Sequence, residues 1–233
     1  MTKKICLVTG VGPGTGRALV ERFTAGGYHV AMVARNRERL ESLEQQIPNT
    51  SSFAYDCSDE ASINEMVAHV SADLGAPEVV FCNAVRGTFG TFLEMNPEDL
   101  LQNFQINTMG LLYLARAVAP AMIERGRGVI MASGNTAALR GKPNFVGFAP
   151  TKAAQRILCE SLARTLGPQG VHVAYLIIDA VIDLQWTREM MPDKNDDYFI
   201  QPSAIAETAY HVAHQDKSAW SFNVEVRPFG EAW

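Results

Sequence analysis

Short apolar runs alternate with longer amphipathic segments along almost the whole chain. Seven runs are β-branched or continuously apolar, which is typical of strands that are covered on both faces of a sheet. These predicted strands are Ile5–Val8, His29–Ala34, Ser52–Tyr55, Val79–Cys82, Val129–Ala132, Val171–Ile178 and Phe222–Val226. Between them, apolar residues recur at helical spacing. The predicted helices are Gly16–Ala25, Arg37–Gln46, Ala61–Leu74, Pro97–Glu124, Thr151–Leu166 and Ser203–His214.

The alternation of strands and helices predicts the fold class. Successive strand–helix–strand units make right-handed crossovers, and these build a parallel sheet with helices on both faces. No composition break or internal repeat interrupts the pattern. We therefore predict an α/β fold with a doubly wound parallel sheet of Rossmann type. This three-layer α/β/α sandwich is expected to form a single domain over residues 1–233.

Composition narrows the functional classes. The 233 residues are 47% hydrophobic, and 20 Lys plus Arg face 25 Asp plus Glu, which gives a net charge of −5. A mildly acidic chain without a basic tail argues against nucleic acid and anionic membranes as partners. We interpret no apolar stretch as long enough to span a bilayer. Four widely spaced cysteines fit a reducing compartment, so we expect a soluble cytoplasmic protein.

The segment between the first strand and the first helix is rich in glycine. Glycines let backbone amides approach a phosphate closely, and the helix N-terminus adds oriented N–H groups. In doubly wound sheets, ligands bind at the carboxyl ends of the strands, where this segment lies. It therefore predicts nucleotide binding, with a purely structural turn as the alternative. The expected contacts are Gly10, Gly12, Pro13, Gly14, Thr15 and Gly16.

The end of the second predicted strand indicates which dinucleotide binds. An NAD site usually places an acidic residue there to take the ribose 2′-hydroxyl. Here Ala34 is followed by Arg35, and Arg37 is close by. A guanidinium pairs with a 2′-phosphate, which an acid would repel. The two arginines favour NADP over NAD, unless they are solvated residues at a helix start. The five histidines form no HExxH pattern, so we predict no metal site.

The spacing of Gly10, Gly14 and Gly16 resembles the cofactor motif of the short-chain dehydrogenase/reductase family. Further polar residues stand at the intervals that this family shows, and the similarity extends over nearly the whole chain. They are Asp56, Asn83-Ala84, Asn107 and Lys152. The resemblance implies a nicotinamide-dependent oxidoreductase that forms a homodimer or homotetramer through its long helices.

The same resemblance implies a role for each matching residue. Asp56 would meet the adenine amino group, with the backbone of Cys57 nearby. The segment Asn83-Ala84-Val85 would lie beside the cofactor, where Val85 replaces a family glycine. Lys152 would bind the ribose hydroxyls, and Asn107 would shape the active site and hold a proton-relay water.

Two positions depart from the family pattern. The family's catalytic Tyr precedes the Lys by four residues, and this chain has Phe148 there. The family's Ser lies thirteen residues before the Tyr, and this chain has Asn135 there. Phenylalanine has no proton to give, and the Asn135 amide can donate a hydrogen bond but cannot protonate a substrate. We expect a water held by Lys152 and Asn107 to be the nearest proton source.

Three functional hypotheses follow. The first is an NADP-dependent oxidoreductase that transfers hydride to a small carbonyl or activated C=C substrate, with an atypical proton source. The second is an NADPH-binding pseudoenzyme or sensor without turnover. The third is a non-redox enzyme, since fold does not fix chemistry.

Several loop residues keep two interpretations each. Asp179 and Asp183 are acid–base groups or helix-cap and loop residues. Arg86, Arg140 and Lys142 attract an anionic substrate or lie on a solvated surface. The region 186–202 is a substrate lid or a connecting loop.

Overall fold

The computed structural model describes residues 3–230, and all seven predicted strands are present in one parallel sheet. In chain order, the strands of the described part are β1 (Lys4–Thr9), β2 (Tyr28–Ala34), β3 (Thr50–Ala54), β4 (Val79–Cys82), β5 (Gly128–Asn135), β6 (Val171–Ile178), β7 (Val181–Ile182), β8 (Phe199–Ile200) and β9 (Asn223–Val226). The sheet order is β3-β2-β1-β4-β5-β6-β9, and β7 pairs separately with β8. The predicted doubly wound topology is confirmed.

The helices agree with the predicted segments except in two places: the longest one is interrupted, and a short helix over Gln185–Met190 was not predicted. In chain order they are α1 (Thr15–Ala25), α2 (Arg37–Gln46), α3 (Glu60–Asp73), α4 (Pro97–Phe104), α5 (Gly110–Glu124), α6 (Ala149–Leu166), α7 (Gln185–Met190) and α8 (Pro202–Ala213). The single helix predicted over Pro97–Glu124 is instead α4 and α5 joined by a π-helical turn, Gln105–Met109. Such turns insert a residue into an α-helix and are common at functional sites. This one carries Asn107.

The core explains why the strands are almost continuously apolar. Successive side chains of a strand point to opposite faces of the sheet. Ile5 and Leu7 of β1 pack on one face with residues of α3 and α5. Cys6 and Val8 pack on the other face with residues of α1 and α8. Two cores on one sheet produce the predicted three-layer sandwich.

The strand order reverses next to β1, which fixes where a ligand can bind. The chain runs from β1 outward through β2 to β3, and then returns to place β4 on the other side of β1. Crossovers therefore leave the carboxyl ends of β1 and β4 in opposite directions, which opens a crevice between them. Gly10 and Asn83 immediately follow these two strands.

The helical run Pro97–Glu124 corrects the expectation that no stretch could span a bilayer. It has 28 residues, and an 18-residue window within it has a mean hydropathy of 1.3, enough to cross a membrane by length and composition. Buried core helices pass the same test, and 44% of the tested window is buried inside this fold. The run is this apolar because Leu111, Leu114 and Val118 lie in the core while Tyr113 and Ala117 also pack against it.

The region 186–202 contains more regular structure than expected. Helix α7 occupies its first part, and β8 near its end pairs with β7. The pairing joins Val181 to Phe199 and Ile182 to Ile200. The segment therefore folds back over the carboxyl edge of the sheet instead of crossing it as an irregular loop.

One glycine of β5 is required by packing. A Cβ atom on Gly134 would lie 2.1 Å from Cε1 of Tyr175, whose ring is fully buried in β6. We expect Gly134→Ala to lower the free energy of unfolding by about 3 kcal/mol, because the ring cannot move without disturbing the core. Gly141→Ala is the control, since no atom lies within 4 Å of its added Cβ. Denaturant unfolding of both variants measures the difference, and equal midpoints would contradict this packing.

Candidate active site

A cavity of about 530 Å³ lies at the carboxyl edge of the sheet, over the ends of β1, β2, β3 and β4. Most of the residues expected to bind a cofactor line it. They are Gly10, Gly12, Gly14, Thr15, Gly16, Arg35, Asp56, Cys57, Asn83, Ala84 and Val85. Other predicted site residues lie outside this lining: Pro13, Arg37, Asn107, Asn135, Phe148 and Lys152.

The glycine-rich turn forms one wall of the cavity at the start of α1. Gly10 has φ +69°, and a Cβ there would lie 2.5 Å from the backbone of Ala84. Gly14 caps α1 without any side-chain hydrogen bond, so the first N–H groups of the helix have no side-chain cap. Thr15 Oγ1 is buried and has no hydrogen-bond partner among residues 3–230. This cradle fits a pyrophosphate, which supplies acceptors for all of these donors.

The arginines after β2 are arranged differently from the expectation. Arg35, Asn36 and Arg39 line the cavity. The Arg37 side chain is 70% exposed and lies 3.9 Å from Glu41, outside the cavity. Arg37 and Arg39 are about 200° apart around the helix, so only one of them can face the cavity. The cations available to a 2′-phosphate are therefore Arg35 and Arg39.

The capping of α2 could have indicated where the helix starts, but not which arginine faces the cavity. The Asn36 side chain accepts a hydrogen bond from the Arg39 backbone N–H at 2.8 Å and starts the helix. An Asn side chain that accepts a hydrogen bond from the backbone N–H three residues later is a common N-cap. Its position in the sequence predicts the helix start, but the rotation of the helix on the sheet depends on tertiary packing of Leu40 and Leu43.

Asn83 links the ends of three strands beside the cavity. Its Nδ2 donates to the Gly10 carbonyl at 3.0 Å, and its Oδ1 accepts from Ser133 Oγ at 2.8 Å. Its backbone N–H donates to Thr9 Oγ1 at 3.2 Å. The ends of β1, β4 and β5 are thereby held in one fixed arrangement.

The third strand ends in the predicted adenine contacts. Asp56 accepts a hydrogen bond from the Ser58 backbone N–H at 2.9 Å, which fixes the turn after β3. Burial raises the pKa of the neighbouring Cys57 to about 12, so its side chain is a neutral thiol at physiological pH. The Cys57 side chain therefore offers a ligand only a weak S–H donor or sulfur acceptor, and its backbone is the stronger polar partner.

Asn107 acts as a clamp beneath the cavity. Its Oδ1 accepts from the Arg86 backbone N–H at 2.9 Å, and its Nδ2 donates to the Arg86 carbonyl at 2.8 Å. The same Nδ2 donates to Thr151 Oγ1 at 2.8 Å. The clamp fixes the segment after β4 to the start of α6, and it leaves the Asn107 backbone carbonyl for a separate partner.

Lys152 is buried, with 1% of its surface exposed, and its ammonium has two protein acceptors. Its Nζ donates to the Ser133 carbonyl at 2.8 Å and to Gln155 Oε1 at 2.5 Å. Gln155 Nε2 in turn donates to the Asn107 carbonyl at 2.6 Å. The Gln155 side chain therefore joins Lys152 to the Asn107 carbonyl directly, and a proton-relay water held by Lys152 and Asn107 stays a prediction. Burial lowers the pKa of Lys152 to about 8.

Phe148 belongs to an aromatic cluster with Phe89 and Phe145. Its ring centroid lies 5.4 Å from that of Phe89 and 6.5 Å from that of Phe145, and 6% of its surface is exposed. The Gly90 N–H donates to the Asn144 carbonyl at 2.8 Å, which ties together the two loops that carry the cluster. The cluster places hydrocarbon at the start of α6.

Asn135 ends β5 and caps the short helical turn that follows. Its Oδ1 accepts from the Ala137 backbone N–H at 3.1 Å. This orients the amide so that its NH₂ group is the free end, and Nδ2 has no protein acceptor within residues 3–230. Asn135 can therefore donate a hydrogen bond to a ligand but cannot accept one through Oδ1 without losing the cap.

Both candidate aspartates are engaged in ion pairs. Asp183 accepts from Arg188 at 2.7 and 2.9 Å and from Gln201 at 2.6 Å. Asp179 is paired with Arg227, and Arg140 lies 3.8 Å away. The Arg188 hydrogen bonds lower the pKa of Asp183 to about 2. Arginines hold both carboxylates, which favours the loop interpretation over a role in acid–base chemistry.

Arg86 is also used internally. Its guanidinium donates to Thr88, to the carbonyl and carboxylate of Asp99, and to Asn103, at 2.7–3.2 Å. These bonds fix the loop after β4 to α4, so Arg86 does not serve as an anion site. Arg140 and Lys142 lie instead along a second cavity beside the start of α6.

An open parallel sheet with a glycine-rich turn at its switch point defines the Rossmann class of nucleotide-binding folds. The short chain dehydrogenase family matches residues 4–192 of this chain. The chain therefore belongs to the short-chain dehydrogenase family. Within residues 3–230, no group of three or more His, Cys, Asp or Glu side chains is placed to hold a metal ion.

Individual relatives agree with the family assignment. L-xylulose reductase of Cavia porcellus is 30% identical over 168 residues, which cover 72% of this chain and 67% of the relative. An uncharacterized oxidoreductase of Staphylococcus aureus is 24% identical over 230 residues and 98% of both chains. A metagenomic short-chain oxidoreductase, solved in complex with NADP, is 26% identical over 98% of both chains, with a TM-score of 0.85.

The Asp183–Arg188 pair predicts a pH dependence of stability. The pKa of Asp183 in the folded state, about 2, lies below the ordinary value of 3.8. The contribution of Asp183 to stability is therefore present above about pH 4 and is lost as the pH falls toward 2. We expect Asp183→Asn to lower the free energy of unfolding at pH 6 by about 1 kcal/mol, since solvent screening reduces the full effect. Urea unfolding at pH 3, 4 and 6 measures it, with exposed Asp193→Asn as control. A deficit that is the same at every pH would refute the assignment.

Proposed function

We propose that the chain is a single-domain, NADP-dependent oxidoreductase acting on a small carbonyl or activated C=C substrate. One observation carries the proposal. The buried hydroxyl of Thr15, which lacks a protein partner within residues 3–230, lines the same cavity as Arg35 and Arg39. A dinucleotide with a 2′-phosphate matches this set, because its pyrophosphate and its 2′-phosphate are separate anions that need separate donors.

Each group of cavity residues is proposed to contact a different part of NADP. The glycine-rich turn and Thr15 hold the pyrophosphate, while Arg35 and Arg39 take the 2′-phosphate. Asp56 contacts the adenine amino group, and Lys152 contacts the ribose hydroxyls. The bound dinucleotide supplies a hydride to the substrate. The NADP in the similar metagenomic oxidoreductase supports this choice over NAD.

Phe148 and Asn135 favour an activated C=C bond over an unactivated ketone. At the position of the family's catalytic Tyr the chain has only a packed phenylalanine ring. Losing a general acid reduces rates by about 10²- to 10⁴-fold. In a conjugated C=C substrate, hydride adds to carbon, and the carbonyl oxygen needs only a hydrogen bond, which Asn135 Nδ2 can donate. Water then supplies the proton, since Phe148 has none to give.

The second candidate is an NADPH-binding protein without turnover, a pseudoenzyme or sensor. Two observations favour it: Phe148 has no proton to give, and Gln155 occupies the Lys152–Asn107 bridge. Neither affects the dinucleotide cradle, and the first removes the proton donor that the family resemblance implies. The experiment below separates the two candidates.

The remaining proposals concern partners and location. The substrate is a small molecule, and neither nucleic acid nor a membrane is a partner. We further propose a cytoplasmic homodimer or homotetramer that packs through α5 and α6. The exposed Ile157 and the half-buried Ala153 and Leu158 of α6 are available for that contact.

Phe148→Tyr tests the proposed chemistry. NADPH oxidation is followed with a panel of ketones, quinones and enones. Wild type is expected to turn over enones or quinones and to leave simple ketones nearly untouched. The new phenol restores an acid one turn from Lys152, so ketone reduction by Phe148→Tyr should rise at least tenfold. Phe145→Tyr adds a hydroxyl to the same aromatic cluster and serves as control.

The outcomes of this experiment separate the role of Phe148, the sensor candidate and dinucleotide binding itself. Unchanged turnover on every substrate in Phe148→Tyr would contradict the assigned role of Phe148. Tight NADPH binding without any wild-type turnover would favour the sensor. If neither NADPH nor NADH binds wild type, the dinucleotide proposal fails as a whole.

A further inference from the structure

Gln155 is a fully buried polar residue, one turn after Lys152 on α6. Its Oε1 accepts from Lys152 Nζ at 2.5 Å and from the Tyr175 hydroxyl at 3.2 Å. Its Nε2 donates to the Asn107 backbone carbonyl at 2.6 Å. A buried amide costs free energy unless it is hydrogen-bonded, and this one is bonded at both ends.

The partners of Gln155 fix the orientation of its amide. The Asn107 carbonyl can only accept, so it requires the NH₂ end of the amide. Lys152 Nζ can only donate, so it requires the carbonyl end. The π-helical turn and β6 therefore hold the Gln155 carbonyl oxygen against the ammonium of Lys152 from two sides.

Lys152 depends on Gln155 because few other hydrogen-bond acceptors surround the Lys152 ammonium. Its two acceptors, Gln155 Oε1 and the Ser133 carbonyl, are neutral oxygens. An ammonium has three N–H donors, so two protein acceptors leave one donor for a ligand. Turning or losing the Gln155 amide would let the flexible Lys152 side chain redirect that third donor.

We propose that Gln155 is a positioning residue that holds the Lys152 ammonium so that its third N–H meets a ribose hydroxyl of the bound dinucleotide. This inference rests on the proposed function, because it assumes that Lys152 contacts the ribose. It gives the direct contact of Gln155 with both Lys152 and the Asn107 carbonyl a function in cofactor binding.

The surroundings of Lys152 make this role visible in a pH titration. The titratable groups packed around it are Cys82 of β4, Cys159 of α6 and Tyr175 of β6. Burial raises the pKa of Cys82 to about 11 and raises those of Cys159 and Tyr175 further. Burial lowers the pKa of Lys152 to about 8. Lys152 is therefore the member of this group that titrates between pH 7 and 9.5.

The test measures the NADPH dissociation constant by fluorescence from pH 7 to 9.5. Wild-type affinity should fall as the pH rises through about 8, because the ammonium loses its proton. Gln155→Met keeps the side-chain volume but removes the acceptor, so the ammonium is less stable and the fall begins about one pH unit lower. Relative to wild type, this variant should bind NADPH about twofold more weakly at pH 7 and about tenfold more weakly above pH 8.5.

Gln155→Glu gives the opposite shift and keeps the test decisive if Gln155→Met does not fold. Its carboxylate stabilises the ammonium, so the fall in affinity should move to higher pH. Gln169→Met, an exposed position just after α6, should leave the curve unchanged. A loss of affinity equal at every pH, or the same midpoint in all variants, would show that Gln155 only packs. Failure of wild type to bind NADPH would instead overturn the proposed function.

Discussion

Side-chain hydrogen bonds between neutral groups hold the carboxyl ends of the central strands together, and the whole site depends on them. Asn83 joins the Gly10 carbonyl to the Ser133 hydroxyl, and Asn107 joins Arg86 to Thr151. These bonds lie at a sheet edge where the backbone pairing of these strands has ended. They take over from the backbone hydrogen bonds in holding the strand ends at fixed distances from one another. In a region of low dielectric, a network with every member satisfied is rigid, whereas one missing partner is costly. The cavity is consequently shaped before a ligand arrives.

The positive charges around the cavity are of two kinds: exposed arginines at its mouth and a buried lysine beneath it. Arg35 and Arg39 lie exposed at the mouth, where they can attract an anion and select among anions. Lys152 lies buried beneath it and is held by neutral oxygens. The nearby carboxylates of Asp179 and Asp183 are paired with arginines of other segments. The edge of the sheet therefore offers positive charge to a phosphate-bearing ligand without a competing free acid from these two residues.

The fold could be predicted because its signals are local. Strands covered on both faces must be apolar throughout, and a glycine-rich turn between a strand and a helix has one common use. The unpredicted features depend on long-range contacts. The rotation of α2 brings Arg39 to the cavity in place of Arg37, and the π-helical turn presents the Asn107 carbonyl to Gln155. Gln155 itself carries no sequence signal, because a glutamine within an amphipathic helix is ordinarily a solvated residue.

We propose that this cavity binds a dinucleotide with a 2′-phosphate through Arg35 and Arg39. Calorimetric titration of NADPH and NADH into wild type, Arg39→Ala and Arg37→Ala tests it most directly. We expect wild type to prefer NADPH, and Arg39→Ala to bind NADPH about tenfold or more weakly, since a charged hydrogen bond contributes about 1.5–3 kcal/mol. NADH affinity should not change, and Arg37→Ala should match wild type. Equal affinities for the two dinucleotides, or an equal loss in Arg37→Ala and Arg39→Ala, would contradict the account.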